Sequence, residues 1–216
     1  MPIGKTSLLF ALALSLARQG QRVLLLCRRS AVEAAPPLLP EGVHHSDTAW
    51  AQVQLKYLAN GSELLRYAAH AHMLHPPPDA LLVDDLHALA DLPAGDRPRP
   101  RDMALCRQLA TLQEAADVIA QLKGSPCTLA VTEHVASHAE GPRLLHLLQR
   151  WLPLALQIRP AGQGHALELL NPRPDTPPAC LVSLCFSLKS GALSLEAMQA
   201  AVPPQPRQQQ HAGHYF

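Results

Sequence analysis

Gly4-Lys5-Thr6-Ser7-Leu8-Leu9-Phe10 opens a run that stays apolar almost all round to residue 19. A helix of that composition is buried over most of its surface. Gly20 supplies its stop. Val23-Leu24-Leu25-Leu26-Cys27 follows at once, a short continuous apolar run that predicts a strand covered on both faces, and Arg28-Arg29 ends it.

The same alternation continues down the chain. Val53, Leu55 and Tyr57 alternate with polar residues, which predicts a strand over 53–57. Gly61-Ser62 opens a helix with Ser62 as its N-cap, running to about residue 74 before Pro76-Pro77-Pro78. Leu81-Leu82-Val83 is the next buried strand, closing on Asp84-Asp85. A Pro/Arg loop over 93–101 leads to an amphipathic helix over 102–123, with Leu105, Leu109, Leu112, Ala116 and Ile119 on one face and Gly124 as its stop. A third buried strand is predicted over 128–132 and a short helix over 142–152. Four strand-like segments follow over 154–159, 166–170, 180–188 and 192–195, and from 197 the chain is rich in Gln and Pro. The expected architecture is α/β: a mostly parallel sheet flanked by helices, extended by a C-terminal antiparallel edge. The expected division is one domain over 1–196 and a disordered tail over 197–216.

Composition narrows the function classes. Apolar residues make up 48% and charged residues 16% of the 216, which excludes wholesale disorder. Lys+Arg is 18 against Asp+Glu 17, so any contact with nucleic acid has to come from a local patch. The five cysteines are irregularly spaced and sit mostly in apolar runs, which reads as reduced core thiols of the cytosol or nucleus. No stretch reaches the roughly 18 uninterrupted apolar residues of a membrane span. The expectation is no membrane association.

The chemistry lies at the ends of the buried elements. Gly4-Lys5-Thr6 is the last part of the phosphate-loop pattern G-x-x-x-x-G-K-[ST]. At a helix N-terminus, backbone N–H groups and the helix dipole favour an anion. A lysine there reaches the outer phosphates of ATP, and a threonine hydroxyl ligates Mg2+. Gly4, Lys5, Thr6 and Ser7 are therefore the candidate nucleotide residues. The first glycine of the pattern, and the strand that leads into it, would lie ahead of Met1, so the fold is expected to lack its N-terminal strand. Asp84, at the end of an apolar strand, has the form of the acidic residue that holds Mg2+ in P-loop NTPases. Thr6 and Asp84 are thus the candidate metal ligands, and Asp84 and Asp85 the candidate catalytic pair. An Asp-Asp pair in this position also suits a turn or a helix N-cap. Asp85, Glu33 and Glu133 are candidates, on position alone, to orient an attacking water. Arg97, Arg99 and Arg101, alternating with prolines, are the candidate DNA contacts, held extended by those prolines.

Five segments taken in order carry a resemblance. They are residues 4–10, Val23-Leu24-Leu25-Leu26-Cys27-Arg28-Arg29, Ser62-Glu63-Leu64-Leu65-Arg66, Leu81-Leu82-Val83-Asp84, and Leu147-Leu148-Gln149-Arg150-Trp151-Leu152-Pro153. Together they resemble the ATPase subunits of the metazoan Shu complex, distant RecA-type recombinase paralogues associated with a SWIM-domain zinc protein. The resemblance spans residues 4–195. It implies a RecA-like P-loop core, single-stranded-DNA binding, DNA-stimulated ATP hydrolysis with Mg2+, and a SWIM-domain partner. It also implies a nuclear role in homologous recombination, supporting filaments of the recombinase and its paralogues. The loops over 86–101 and 133–142 would face DNA. One departure stands out: RecA proteins carry a catalytic Glu after the second core strand, where this chain has Arg28-Arg29, which implies slow hydrolysis. Two other readings stand beside this one, a non-catalytic scaffold of the same fold and a small-molecule P-loop kinase.

Overall fold

The computed structural model describes residues 4–44, 46–89, 98–134, 141–162, 164–170, 180–189 and 191–200. The chain enters through helix α1 (Lys5–Arg18) and turns into strand β1 (Val23–Cys27). The turn is fixed by Gly20, whose φ of 79° is open to glycine, with its N–H bonded to Ala17 O and that of Gln21 to Leu16 O. Next come α2 (Arg29–Ala34), β2 (Val53–Tyr57), α3 (Gly61–Ala69), β3 (Ala80–Val83), α4 (Leu86–Leu89) and α5 (Pro98–Lys123). Then follow β4 (Thr128–Val131), α6 (Gly141–Gln149), β5 (Ala155–Ala161), β6 (Gly164–Leu170), β7 (Cys180–Lys189) and β8 (Ala192–Ala200).

The first four strands form one parallel sheet in the order β2-β1-β3-β4. Period-2 alternation sends its side chains to two separate cores. Leu24, Leu26, Leu81 and Val83 pack with Leu64 and Ala68 of α3 and Leu105, Leu109, Leu112 and Ile119 of α5. Val23, Leu25, Cys27, Ala80 and Leu82 pack with Leu9, Phe10, Ala13 and Ala17 of α1. Both faces are covered, which is why β1 and β3 read as unbroken apolar runs.

Several expectations are corrected in detail. The antiparallel strands do not extend the parallel sheet; β5-β6-β7-β8 form a second sheet of their own. Pro40, in the segment after α2, bridges Leu193 of β8 and ties that segment to the second sheet. The strand over 128–132 is not buried like β1 and β3, because it is an edge strand among the described residues, with Thr128 exposed. β8 is longer than the strand expected over 192–195, running to Ala200; residues 201–216 lie outside the described residues. The N-cap of α3 is Asn60, not Ser62: its side chain accepts from Glu63 N at 2.9 Å while Glu63 Oε2 accepts from Ala59 N at 2.8 Å. Residues 98–101 are helical rather than extended. A first helical turn tolerates proline because its N–H groups have no intrahelical partner, so Pro98 and Pro100 start α5 instead of stretching a loop.

Candidate functional site

Because β1, β3 and β4 run parallel, their C-terminal ends share one edge of the sheet. This is the edge at which ligands bind in open α/β sheets. α1 starts there. Its N-cap Gly4 has φ 71° and so demands glycine, and it offers no side chain to the first-turn N–H groups. A Cβ at Gly4 would also stand 2.9 Å from Leu188 Cδ1 and 3.4 Å from Phe186 Cε2, both on β7. The glycine is what lets the second sheet close against the start of α1.

Four side chains converge at this edge. Thr6 Oγ1 donates to Asp84 Oδ2 at 2.9 Å, and Thr132 Oγ1 donates to Asp84 Oδ1 at 2.9 Å. Thr132 Oγ1 accepts in turn from Asp85 N at 2.7 Å. Asp84 is 3% exposed. Burial pushes its carboxyl above the usual range, and the hydrogen bonds from Thr132 and Thr6 pull it back. Lys5 Nζ donates to the backbone carbonyl of Glu133 at 3.0 Å. Burial lowers the Lys5 pKa against the opposing pull of Asp85, Glu133 and Asp84. The structure thus brings Asp84, 78 residues away from Thr6 in sequence, to the Lys5-Thr6 pair at one sheet edge.

The donor chemistry suits a hard cation beside an anion. Thr6 and Asp84 present a hydroxyl and a carboxylate oxygen in contact, next to an ammonium. Among the described residues no group of three or more His, Cys, Asp or Glu is arranged to hold a metal ion. Mg2+ does not require one: it takes one or two carboxylates and fills its octahedron with water and phosphate oxygens. The residues present therefore fit Mg2+ accompanied by a phosphate ligand, and they do not fit a cation caged by protein alone.

Other sequence candidates stand differently. Ser7 is buried and its Oγ accepts from Leu38 N at 2.9 Å, tying α1 to the segment after α2. Asp85 has φ 51° and its Oδ1 accepts from Ala88 N at 3.3 Å, holding the start of α4. Glu33 faces Arg29 at 3.9 Å with its side chain 66% exposed, and Arg29 also lies 4.9 Å from the Tyr57 ring centroid. Arg99 and Arg101 belong to the first turn of α5; Arg97 lies outside the described residues, as does most of the loop over 133–142. Thr132 was not legible as a functional residue, although it ends an apolar run at a strand's C-terminus, where Asp84 also sits. That shared position was the available signal.

No family model matches the chain. No described helix is long and apolar enough to cross a membrane. Over 165 residues the chain is 31% identical to the human protein ATPase SWSAP1, an alignment that covers 74% of this chain and 69% of that protein. Similarity of that extent, over a core whose sheet edge gathers Lys5, Thr6 and Asp84, settles the relationship: the chain belongs to the SWSAP1 ATPase family.

Proposed function

We propose that the chain is a RecA-like P-loop ATPase subunit that acts with a SWIM-domain zinc protein in homologous recombination in the nucleus, binding single-stranded DNA and supporting recombinase filaments. The observation that carries the nucleotide part is the 2.9 Å contact between Thr6 and Asp84, with Lys5 at the same sheet edge. In this reading Gly4, Lys5 and Thr6 receive the phosphates at the N-terminus of α1, where the N–H groups and the helix dipole favour an anion. Lys5 then exchanges the Glu133 carbonyl for phosphate oxygens. Thr6 and Asp84 hold Mg2+, which when bound neutralises charge on the phosphates. The relative is named an ATPase, which supports the same assignment. Near-neutral overall charge gives DNA no bulk attraction, so the DNA contact is assigned to the arginines at 97, 99 and 101.

Equilibrium titration with Mg·ATP tests this. Lys5→Ala should lose ATP binding while keeping its secondary structure and its unfolding transition. Equal affinity in variant and wild type refutes the nucleotide assignment. A well-folded wild type that binds single-stranded DNA but no nucleotide supports the scaffold reading instead.

A further inference from the structure

Glu133 follows β4 at the same edge as Lys5, Thr6 and Asp84, and its environment is unusual for a carboxyl group. Its side chain is 6% exposed. Oε1 accepts from His134 N at 2.8 Å and stands 3.9 Å from His87 Nδ1. Oε2 is buried with no hydrogen-bond partner among the described residues. An unpaired buried carboxyl oxygen is costly, and native structures retain such groups where they do chemistry or receive a ligand. The backbone carbonyl of this same residue holds the Lys5 ammonium. A phosphate chain received by Lys5 is therefore brought up to Glu133.

We propose that Glu133 is the base that activates the attacking water in ATP hydrolysis, an inference that rests on the nucleotide assignment above. The water oxygen bonds to the γ-phosphorus as the bond from that phosphorus to the bridging oxygen breaks. ADP leaves with that oxygen's electron pair, and the water's proton passes to Glu133 Oε2 and on to solvent. The neighbours of Glu133 suit this role. Lys5 on α1, Asp85 after β3, His87 on α4 and His134 act on it, and burial pushes its pKa up to about 7, near the operating range of a general base. The alternatives are spent elsewhere: Asp85 holds the start of α4, and Glu33 is exposed and faces Arg29.

The test measures Mg·ATP affinity and phosphate release, with single-stranded DNA present, on the full chain. Glu133→Gln should bind Mg·ATP within about threefold of wild type and release phosphate at least about 100-fold more slowly, the low end of what a general base contributes. Release within threefold of wild type overturns the proposal, as does a wild type that binds Mg·ATP and releases no phosphate. Loss of Mg·ATP binding in the wild type would instead refute the nucleotide assignment beneath it. Glu33→Gln, on an exposed side chain, gives a reading independent of how Glu133→Gln folds: release should persist, and its loss with binding intact places the base at Glu33 and overturns the proposal.

Discussion

Replacing Glu133 by Gln should change how stability depends on pH, whatever ligand the protein binds. The Glu133 carboxyl is pushed from the usual 4.5 up to about 7, first by burial. Its folded pKa is therefore raised above its unfolded value. The folded state keeps the proton longer, so the stabilising contribution is whole below about pH 4.5 and is lost as pH rises through 7. At 1.36 kcal/mol per unit, that loss is on the order of 3 kcal/mol. The side chain is only 6% exposed, so solvent screens little of it. Glutamine has no proton to lose and leaves the shape nearly unchanged. Urea unfolding of both proteins at pH 5 and pH 8 isolates the effect, because other titrating groups are common to the two and largely cancel in the difference. Relative to wild type, the variant should gain on the order of 3 kcal/mol between those pH values. A difference that stays constant with pH refutes the view that this carboxyl is buried and strained, and removes the physical basis for its reactivity.

Three further variants extend these tests. Thr132→Val removes the hydroxyl that joins Asp84 to Asp85 N and should cost about 1–3 kcal/mol in urea unfolding, because buried polar groups lose their partner. Gly4→Ala forces an L-residue to φ 71° against Leu188 and should cost about 1–2 kcal/mol from the backbone alone, read as a lower unfolding midpoint. Neutralising Arg97, Arg99 and Arg101 together should weaken single-stranded-DNA binding and flatten its salt dependence by about 0.7 in slope for each phosphate no longer neutralised, with Mg·ATP affinity preserved.

The parallel sheet was legible because its central strands are buried on both faces. Val23–Cys27 and Leu81–Val83 carry no polar residue to confuse the period, and the glycines at 20 and 124 mark helix ends by conformation rather than by composition. Edge strands were harder. β2 is a strand as expected, yet its burial does not alternate: Gln54, Leu55 and Lys56 are all exposed, and among the described residues it is an edge strand paired only with β1. The second sheet was legible as strands but not as a separate sheet, since alternation gives the face a residue takes and not its pairing partner. At the site, Lys5, Thr6 and Asp84 were readable because each stands beside a secondary-structure end. Thr132 was not, since its importance comes from two hydrogen bonds made across 47 and 48 residues of sequence. The proline run before residue 102 misled in the opposite way. Proline fixes φ at a value that suits an extended chain and a first helical turn alike, and only the helix that follows decides between them.

The most direct test of the Lys5–Thr6–Asp84 cluster as a Mg2+–phosphate site is the stabilisation that ATP confers with and without Mg2+. A ligand at 100 times its Kd raises the unfolding free energy by about 2.7 kcal/mol. Wild type should show that increment with Mg·ATP and a clearly smaller one when the metal is chelated at the same ATP concentration, whereas Asp84→Asn should show one small increment in both conditions. A wild-type increment that is absent, or that is indifferent to Mg2+, would contradict the assignment.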